Sequence, residues 1–212
     1  MRRRAPHESK LYADFPQLYD KIFQKIFYAD LEFAIRSLDI QEGQKILEVG
    51  VGTGISLSAY PKHCKVVGID LAQGMLLRAK GKIQNKGWKH AEILGMDALN
   101  MCFRKDSFDH VMAFHVVTVV PDPVQMMREV RRVCKPDGTI VIVNHFRSEK
   151  AFLGVFEDLI DPVTTKLGWS STLKLSKLVS QANLNVEKVT RCSKRSLYDV
   201  IFIRNSKNGR PH

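Results

Sequence analysis

The chain has 212 residues, 44% of them hydrophobic, which is enough for one domain whose core needs no disulfide staples. A formal net charge of +11 points to a polyanion, either nucleic acid or an anionic membrane face, unless it is simply a lysine-rich solvated surface. The absence of any apolar run of about 18 residues argues against a membrane-spanning helix. The arginines of Met1–His7 lack the apolar segment of a secretory signal, and Cys64, Cys102, Cys134 and Cys192 form no C-x-x-C pair, as expected of a reduced cytoplasmic protein.

In chain order, residues up to about Leu38 read as helical and aromatic. Phe15, Leu18, Ile22, Phe23, Ile26 and Phe27 recur at helical spacing opposite Lys21, Gln24 and Lys25. From Gln44 the pattern becomes alternating strands and helices. Strands are expected at about 45–49, 66–70, 91–95, 108–114 and 139–145, with helices near 55–60, 73–87 and 122–134. This is the rhythm of a doubly wound parallel sheet. Pro136-Asp137-Gly138 reads as a turn feeding the fifth strand. Lys150–Trp169 reads as a helix interrupted at Pro162, Leu173–Gln181 as another helix, and two late strands near 185–190 and 197–204 are close enough to pair antiparallel. The polar tail Asn205–His212 is expected to be disordered.

The richest stretch is Ile46-Leu47-Glu48-Val49-Gly50-Val51-Gly52-Thr53-Gly54. An apolar run stops at an acid and passes into three glycines at alternate positions. The next apolar run, Val66–Ile69, ends on Asp70. A backbone-lined turn and a carboxylate on the adjacent strand tip form a nucleotide-type pocket, the carboxylate being able to accept both hydroxyls of a ribose. The spacing fits a βαβ unit of roughly 30 residues. A dinucleotide fingerprint would place its third small residue where Ile55 stands; here the third glycine comes one residue earlier.

This E-x-G-x-G-x-G spelling resembles the class I S-adenosylmethionine (AdoMet) methyltransferases. Five parallel strands followed by a hairpin likewise resemble their fold: α/β, a Rossmann-like, mostly parallel seven-stranded sheet with a C-terminal antiparallel hairpin and an N-terminal helical cap. The resemblance implies a cap or membrane-contact segment at 1–40, a methyltransferase domain at 41–204 with a helical insertion at 150–181, and a polar tail at 205–212. It implies AdoMet as cofactor and S-adenosylhomocysteine as product, with no metal. Gly50, Gly52 and Gly54 would hold the amino-acid end of AdoMet and Asp70 the ribose. Leu71, Met75, Met96, Asp97 and Ala98 would surround the adenine, and Glu48 would hold the loop or a cationic group behind it. Met75 and Met96 also read as core filler, and Asp97 as the cap of a following helix.

Ligands lie over the carboxyl ends of the strands in open α/β sheets. His115 and His145 each end an apolar strand there, suited to removing a proton from an amine or to bonding an anionic head group. Either can instead be a hydrogen-bonded core residue. His115 is also a candidate cofactor-binding residue. Arg147 offers a phosphate contact, or only a solvated loop charge, and Tyr19 a hydroxyl or ring near the donor, or only a helix-core side chain.

His115–Pro123 (HVVTVVPDP), Arg132–Gly138 (RVCKPDG), Val143–Phe146 (VNHF) and Leu167–Trp169 (LGW) are similar to segments of the soluble bacterial phosphatidylethanolamine N-methyltransferases, a resemblance running from about Tyr19 to Arg204. Asp137 departs from it at a turn position. The resemblance implies stepwise methylation of the amine of phosphatidylethanolamine towards phosphatidylcholine. His115, His145 and Tyr19 would be catalytic candidates, and His145 and Arg147 head-group contacts. It further implies docking on the inner, anionic face of the cell membrane through Arg2–Arg4, the aromatic N-terminal helix and Phe152–Leu159, with no nucleic-acid partner. Other readings are a methyltransferase of quinone biosynthesis or of another small molecule, and a non-catalytic AdoMet-binding membrane adaptor. Against nucleic-acid methylation, the fourth strand ends in Phe114-His115-Val116-Val117 rather than [N/D]-P-P-[Y/F], and no Pro-Cys follows it.

Overall fold

The structure is a computed structural model that describes residues 27–146, 173–193 and 196–206. Its seven strands are β1 (Lys45–Val49), β2 (Lys65–Asp70), β3 (Ala91–Gly95), β4 (Phe108–Phe114), β5 (Cys134–Asn144), β6 (Asn185–Thr190) and β7 (Asp199–Arg204). They form one sheet in the order β3-β2-β1-β4-β5-β7-β6. The first five are parallel, and β7 runs antiparallel to both β5 and β6. The late hairpin therefore inserts β7 between β5 and β6. Among the described residues four helices cover the sheet: α1 (27–36), α2 (Gln73–Lys86), α3 (Pro123–Val133) and α4 (Leu175–Ala182).

Strand alternation builds a core on each face. Leu47, Val49, Val111, Ala113, Ile140, Ile142, Ile201 and Ile203 pack on α3 and α4 through Met126, Met127, Val130, Leu178 and Ala182. The intervening Ile46, Met112, Phe114, Val141, Val143, Val200 and Phe202 pack with Leu31, Ala34 and Ile35 of α1 and Leu76 of α2. Helix ends follow local chemistry. Asp122 caps α3, its Oδ1 accepting from the Gln125 backbone N–H at 2.9 Å, with Pro123 in the first turn.

Three local expectations change. The helix expected near 55–60 is only a 3-10 turn, Ser56–Ser58. Pro61 closes it, and the Ser56 and Tyr60 hydroxyls are drawn inward to Glu48 instead of facing solvent. Pro136-Asp137-Gly138 interrupts β5 rather than preceding it: β4 pairs Phe108 with Cys134 and then jumps to His110 with Thr139. Asn205, read with the polar tail, is only 1% exposed. Its Nδ2 donates to the carbonyls of Arg131, Cys134 and Lys135 at 2.9, 2.8 and 3.1 Å, which anchors the end of β7 beneath the interruption.

β1 lies between β2 and β4, so the chain order reverses on either side of it. That switch point places a crevice beyond the carboxyl end of β1, where the glycine turn begins.

Candidate active site

The turn leaves β1 by folding back on β2, the N–H groups of Gly50 and Val51 both donating to the Ile69 carbonyl at 2.8 and 3.0 Å. Gly50 has φ +76°, and a Cβ there would lie 2.8 Å from Cβ and Cγ2 of Val116, the residue after His115. Gly52 has φ +54° with only the Met75 sulfur, 3.5 Å from a built Cβ, on its open side. The first glycine thus lets the turn pack against the β4 loop, and the second leaves bare backbone towards the crevice.

Asp70 ties this turn to β2. Its Oδ2 accepts from the Gly52 N–H at 2.9 Å and its Oδ1 from the Ala72 N–H at 2.8 Å. Each oxygen retains a lone pair, so the carboxylate can still accept two hydroxyl donors. Leu71 beside it is 63% exposed at the mouth of the crevice. The Met96 N–H donates to the Asp70 carbonyl at 3.1 Å, bringing the end of β3 to the same crevice. Met96 and Ala98 are partly buried against the core, and the exposed Asp97 accepts from the Leu99 N–H at 2.9 Å. No helix begins at Asp97, so that bond closes a turn and caps nothing.

Glu48 sits below the turn, 2% exposed. Ser56 Oγ donates to its Oε1 at 2.5 Å and the Tyr60 hydroxyl to its Oε2 at 2.7 Å. Burial, only partly offset by those two bonds, raises its pKa to about 7. Glu48 therefore braces the segment after the glycines. Sequence reading did not find Ser56 or Tyr60, although both follow the turn closely.

The far side of the crevice is made by the ends of β4 and β5. His115 takes φ +53°, and its N–H donates to the Val143 carbonyl at 2.7 Å. Its ring packs 4.5 Å from Phe27 of α1 and 4.6 Å from Tyr198, which enters β7. The His115 Nε2 is buried without a hydrogen-bond partner among the described residues, and burial lowers the ring's pKa to about 4. The ring is therefore neutral at pH 7. His145, with its ring 6.5 Å from Tyr198, donates from Nδ1 to the Leu197 carbonyl at 2.9 Å. The antiparallel register, Asn144 opposite Asp199, carries Tyr198 to this edge. Tyr19 and Arg147 lie outside the described residues.

The residues present fit AdoMet on two structural grounds: an open-sided glycine cradle and a half-satisfied carboxylate beside it. A doubly wound sheet with this turn at its switch point defines a nucleotide-binding type of α/β protein. The comparisons carry the identification further. Residues 47–142 match the family described as "Methyltransferase domain". The chain is 35% identical over 182 residues to a phosphatidylethanolamine N-methyltransferase of Cereibacter sphaeroides, covering 85% of this chain and 89% of that protein. It is 29% identical over 144 residues to a demethylmenaquinone methyltransferase of Bacillus subtilis, covering 66% and 62%. The crystal structure of an S-adenosylmethionine-dependent methyltransferase from Aquifex aeolicus superposes with a TM-score of 0.65 at 19% identity, over 89% of this chain and 97% of that one. The protein belongs to the S-adenosylmethionine-dependent methyltransferases, and S-adenosylmethionine is its cofactor.

Proposed function

We propose that the chain transfers methyl groups from AdoMet to the amine of phosphatidylethanolamine and of its mono- and dimethyl forms. The observation that carries this reading is the reach of the similarity. The phosphatidylethanolamine N-methyltransferase relative aligns with 85% of this chain, beyond the cofactor half, whereas the demethylmenaquinone methyltransferase aligns with 66%. The strand ends that bear His115 and His145 belong to the acceptor side of the crevice.

AdoMet, when bound, supplies an electrophilic methyl group on a sulfonium. The chain's residues then align and desolvate, since the displacement asks for little else. The Gly50–Gly54 backbone holds the amino-acid end and Asp70 the ribose, with Leu71, Met75, Met96, Asp97 and Ala98 around the base. Glu48, held by Ser56 and Tyr60, keeps the turn in shape.

The acceptor amine must lose a proton before its lone pair can form the new N–C bond. His115 and His145, at neighbouring strand ends, are the candidates to take up that proton, and His145 also to bond the head group. Arg147 is suited to the phosphate and Tyr19 to the donor side. Among the described residues no helix is long and apolar enough to cross a membrane. Docking on the surface of the inner leaflet is favoured by the net charge of +11, which its anionic lipids attract.

The test is transfer of label from AdoMet in three parallel reactions: phosphatidylethanolamine liposomes containing anionic lipid, a demethylmenaquinone acceptor, and RNA. Label in the lipid extract as N-methylated phosphatidylethanolamine is expected. Label in the quinone alone would favour the second relative's reaction and end the lipid reading. Label in RNA alone would end it too.

A further inference from the structure

Asn144 ends β5 at the active edge and is 2% exposed. Strand alternation puts it on the face of Ile140 and Ile142, both fully buried, a place for an apolar side chain. A buried amide is costly unless its polar atoms are bonded. Here only the nitrogen is: Nδ2 donates to Thr118 Oγ1 and to the His145 carbonyl, each at 3.0 Å. Oδ1 is buried without a hydrogen-bond partner among the described residues. Packing and stability alone would favour leucine, which has nearly the same shape and no orphaned oxygen. What the amide adds is its two N–H donors.

Both donors go to segments that carry the candidate histidines. Thr118 stands three residues after His115, in a turn closed by the Val119 N–H donating to the Val116 carbonyl at 3.0 Å. His145 follows Asn144 directly; Asn144 fixes its carbonyl while its ring donates to the Leu197 carbonyl at 2.9 Å. The next residue, Tyr198, has the His115 ring at 4.6 Å and the His145 ring at 6.5 Å. The two imidazoles flank one aromatic ring, and Asn144 spans the two backbones that bear them.

We infer that Asn144 is a positioning residue for methyl transfer, its Nδ2 clamping the turn of His115 to that of His145 through Thr118. The inference rests on the reading of those histidines as the groups that meet the acceptor. Asn144 itself acts through them, by holding the two rings at a fixed separation. Loosening the clamp misplaces a proton acceptor and so costs rate. It spares cofactor affinity, because Asp70 and the glycine turn are bonded to each other on β1 and β2.

The experiment measures kcat, acceptor KM, Tm and S-adenosylhomocysteine affinity, with whichever acceptor takes label in the three parallel reactions. The full chain is compared with Asn144→Leu, Thr118→Val, Thr118→Ser and the double variant Asn144→Leu/Thr118→Val. Asn144→Leu and Thr118→Val should each lower kcat about tenfold while S-adenosylhomocysteine affinity stays within about twofold. Their Tm should fall by no more than about 3 °C. Thr118 and His145 are half-buried, so water can serve the groups released. Thr118→Ser keeps the hydroxyl and should keep kcat within about twofold of wild type. The double variant should lose no more than Asn144→Leu alone, since both changes break the same bond.

A Tm lowered by more than about 5 °C with kcat within about twofold would mark a purely structural amide and overturn the clamp. Losses that multiply in the double variant would overturn it as well. His145→Ala separates the underlying reading: if it leaves kcat unchanged, the histidine assignment fails. If it lowers kcat and the clamp variants do not, only the clamp fails. Carbon-13 histidine NMR of the chain saturated with S-adenosylhomocysteine needs no acceptor. Thr118→Val should move the ring resonance of His145, to which Asn144 links it, and leave that of His110, near the start of β4, in place. A His145 resonance indifferent to Thr118→Val would refute the linkage.

Discussion

Adding one methyl group at Gly50 or at Gly52 should have opposite consequences, although the two glycines stand two residues apart. Alanine at either must adopt a left-handed φ, +76° or +54°, at a cost of about 1–2 kcal/mol. At Gly52 the new methyl meets only the Met75 sulfur at 3.5 Å, an ordinary contact, so the stability loss stops near that figure. For a chain of this size that corresponds to roughly 2–8 °C in Tm. At Gly50 the methyl would be 2.8 Å from two carbons of Val116, which adds an overpacking cost of about 1–3 kcal/mol. The total, about 2–5 kcal/mol, corresponds to roughly 4–20 °C.

The ordering of functional effects per unit of stability should be reversed. The Gly52 methyl projects into the cradle proposed for AdoMet, so Gly52→Ala should lower S-adenosylhomocysteine affinity about tenfold to a hundredfold at little cost in stability. Thermal melts with and without ligand, together with calorimetry, measure both quantities. Binding by Gly52→Ala within twofold of wild type, or a Gly50→Ala variant no less stable than Gly52→Ala, would refute these roles for the two glycines.

Other outcomes follow from single contacts. Asp70→Ala leaves the Gly52 and Ala72 N–H groups without acceptors and removes the ribose partner, so AdoMet binding should fall at least about a hundredfold; a Kd within fivefold of wild type would remove Asp70 from the site. His145→Ala should spare AdoMet binding and reduce turnover, and an unchanged kcat would remove His145 from the chemistry. Glu48 gives a pH signature. Its pKa is about 7 when folded against an ordinary 4.5, so the folded chain holds a proton that the unfolded chain releases between those values. The associated stability is complete below about pH 4.5 and is lost as pH rises through 7, by up to about 3 kcal/mol. Glu48→Gln should flatten that part of the curve of urea midpoints against pH, and an undiminished slope would assign it to other groups. Asn205→Ala strips three carbonyls, that of Cys134 buried, of their shared donor and should cost about 1–3 kcal/mol without changing the KM for AdoMet; a KM change with no loss of stability would contradict a purely structural role.

Much of the fold was legible in the sequence because its signals are local. Runs such as Phe108–Phe114 and Thr139–Asn144 declare buried strands by composition, and the interval from the glycines to Asp70 declares a βαβ crossover. The bounds of β1, β3, β4 and β6 match the sequence reading for that reason. Expectations were revised where a tertiary partner overrides local pattern. The 55–60 segment is reshaped by Glu48, and Asn205 looks like tail sequence until three carbonyls some 70 residues away claim its side chain.

By itself the sequence determined the donor half of the protein: a strand, three glycines and a carboxylate, close along the chain and recognisable by type and spacing. The far side of the crevice was decided by the tertiary structure. It joins Asp30 to Ser196 across 166 residues and brings Phe27, His115, His145 and Tyr198 together from α1, the ends of β4 and β5, and the start of β7. No periodicity can announce such a cluster, because its members share an edge of the sheet only once β7 has paired antiparallel with β5.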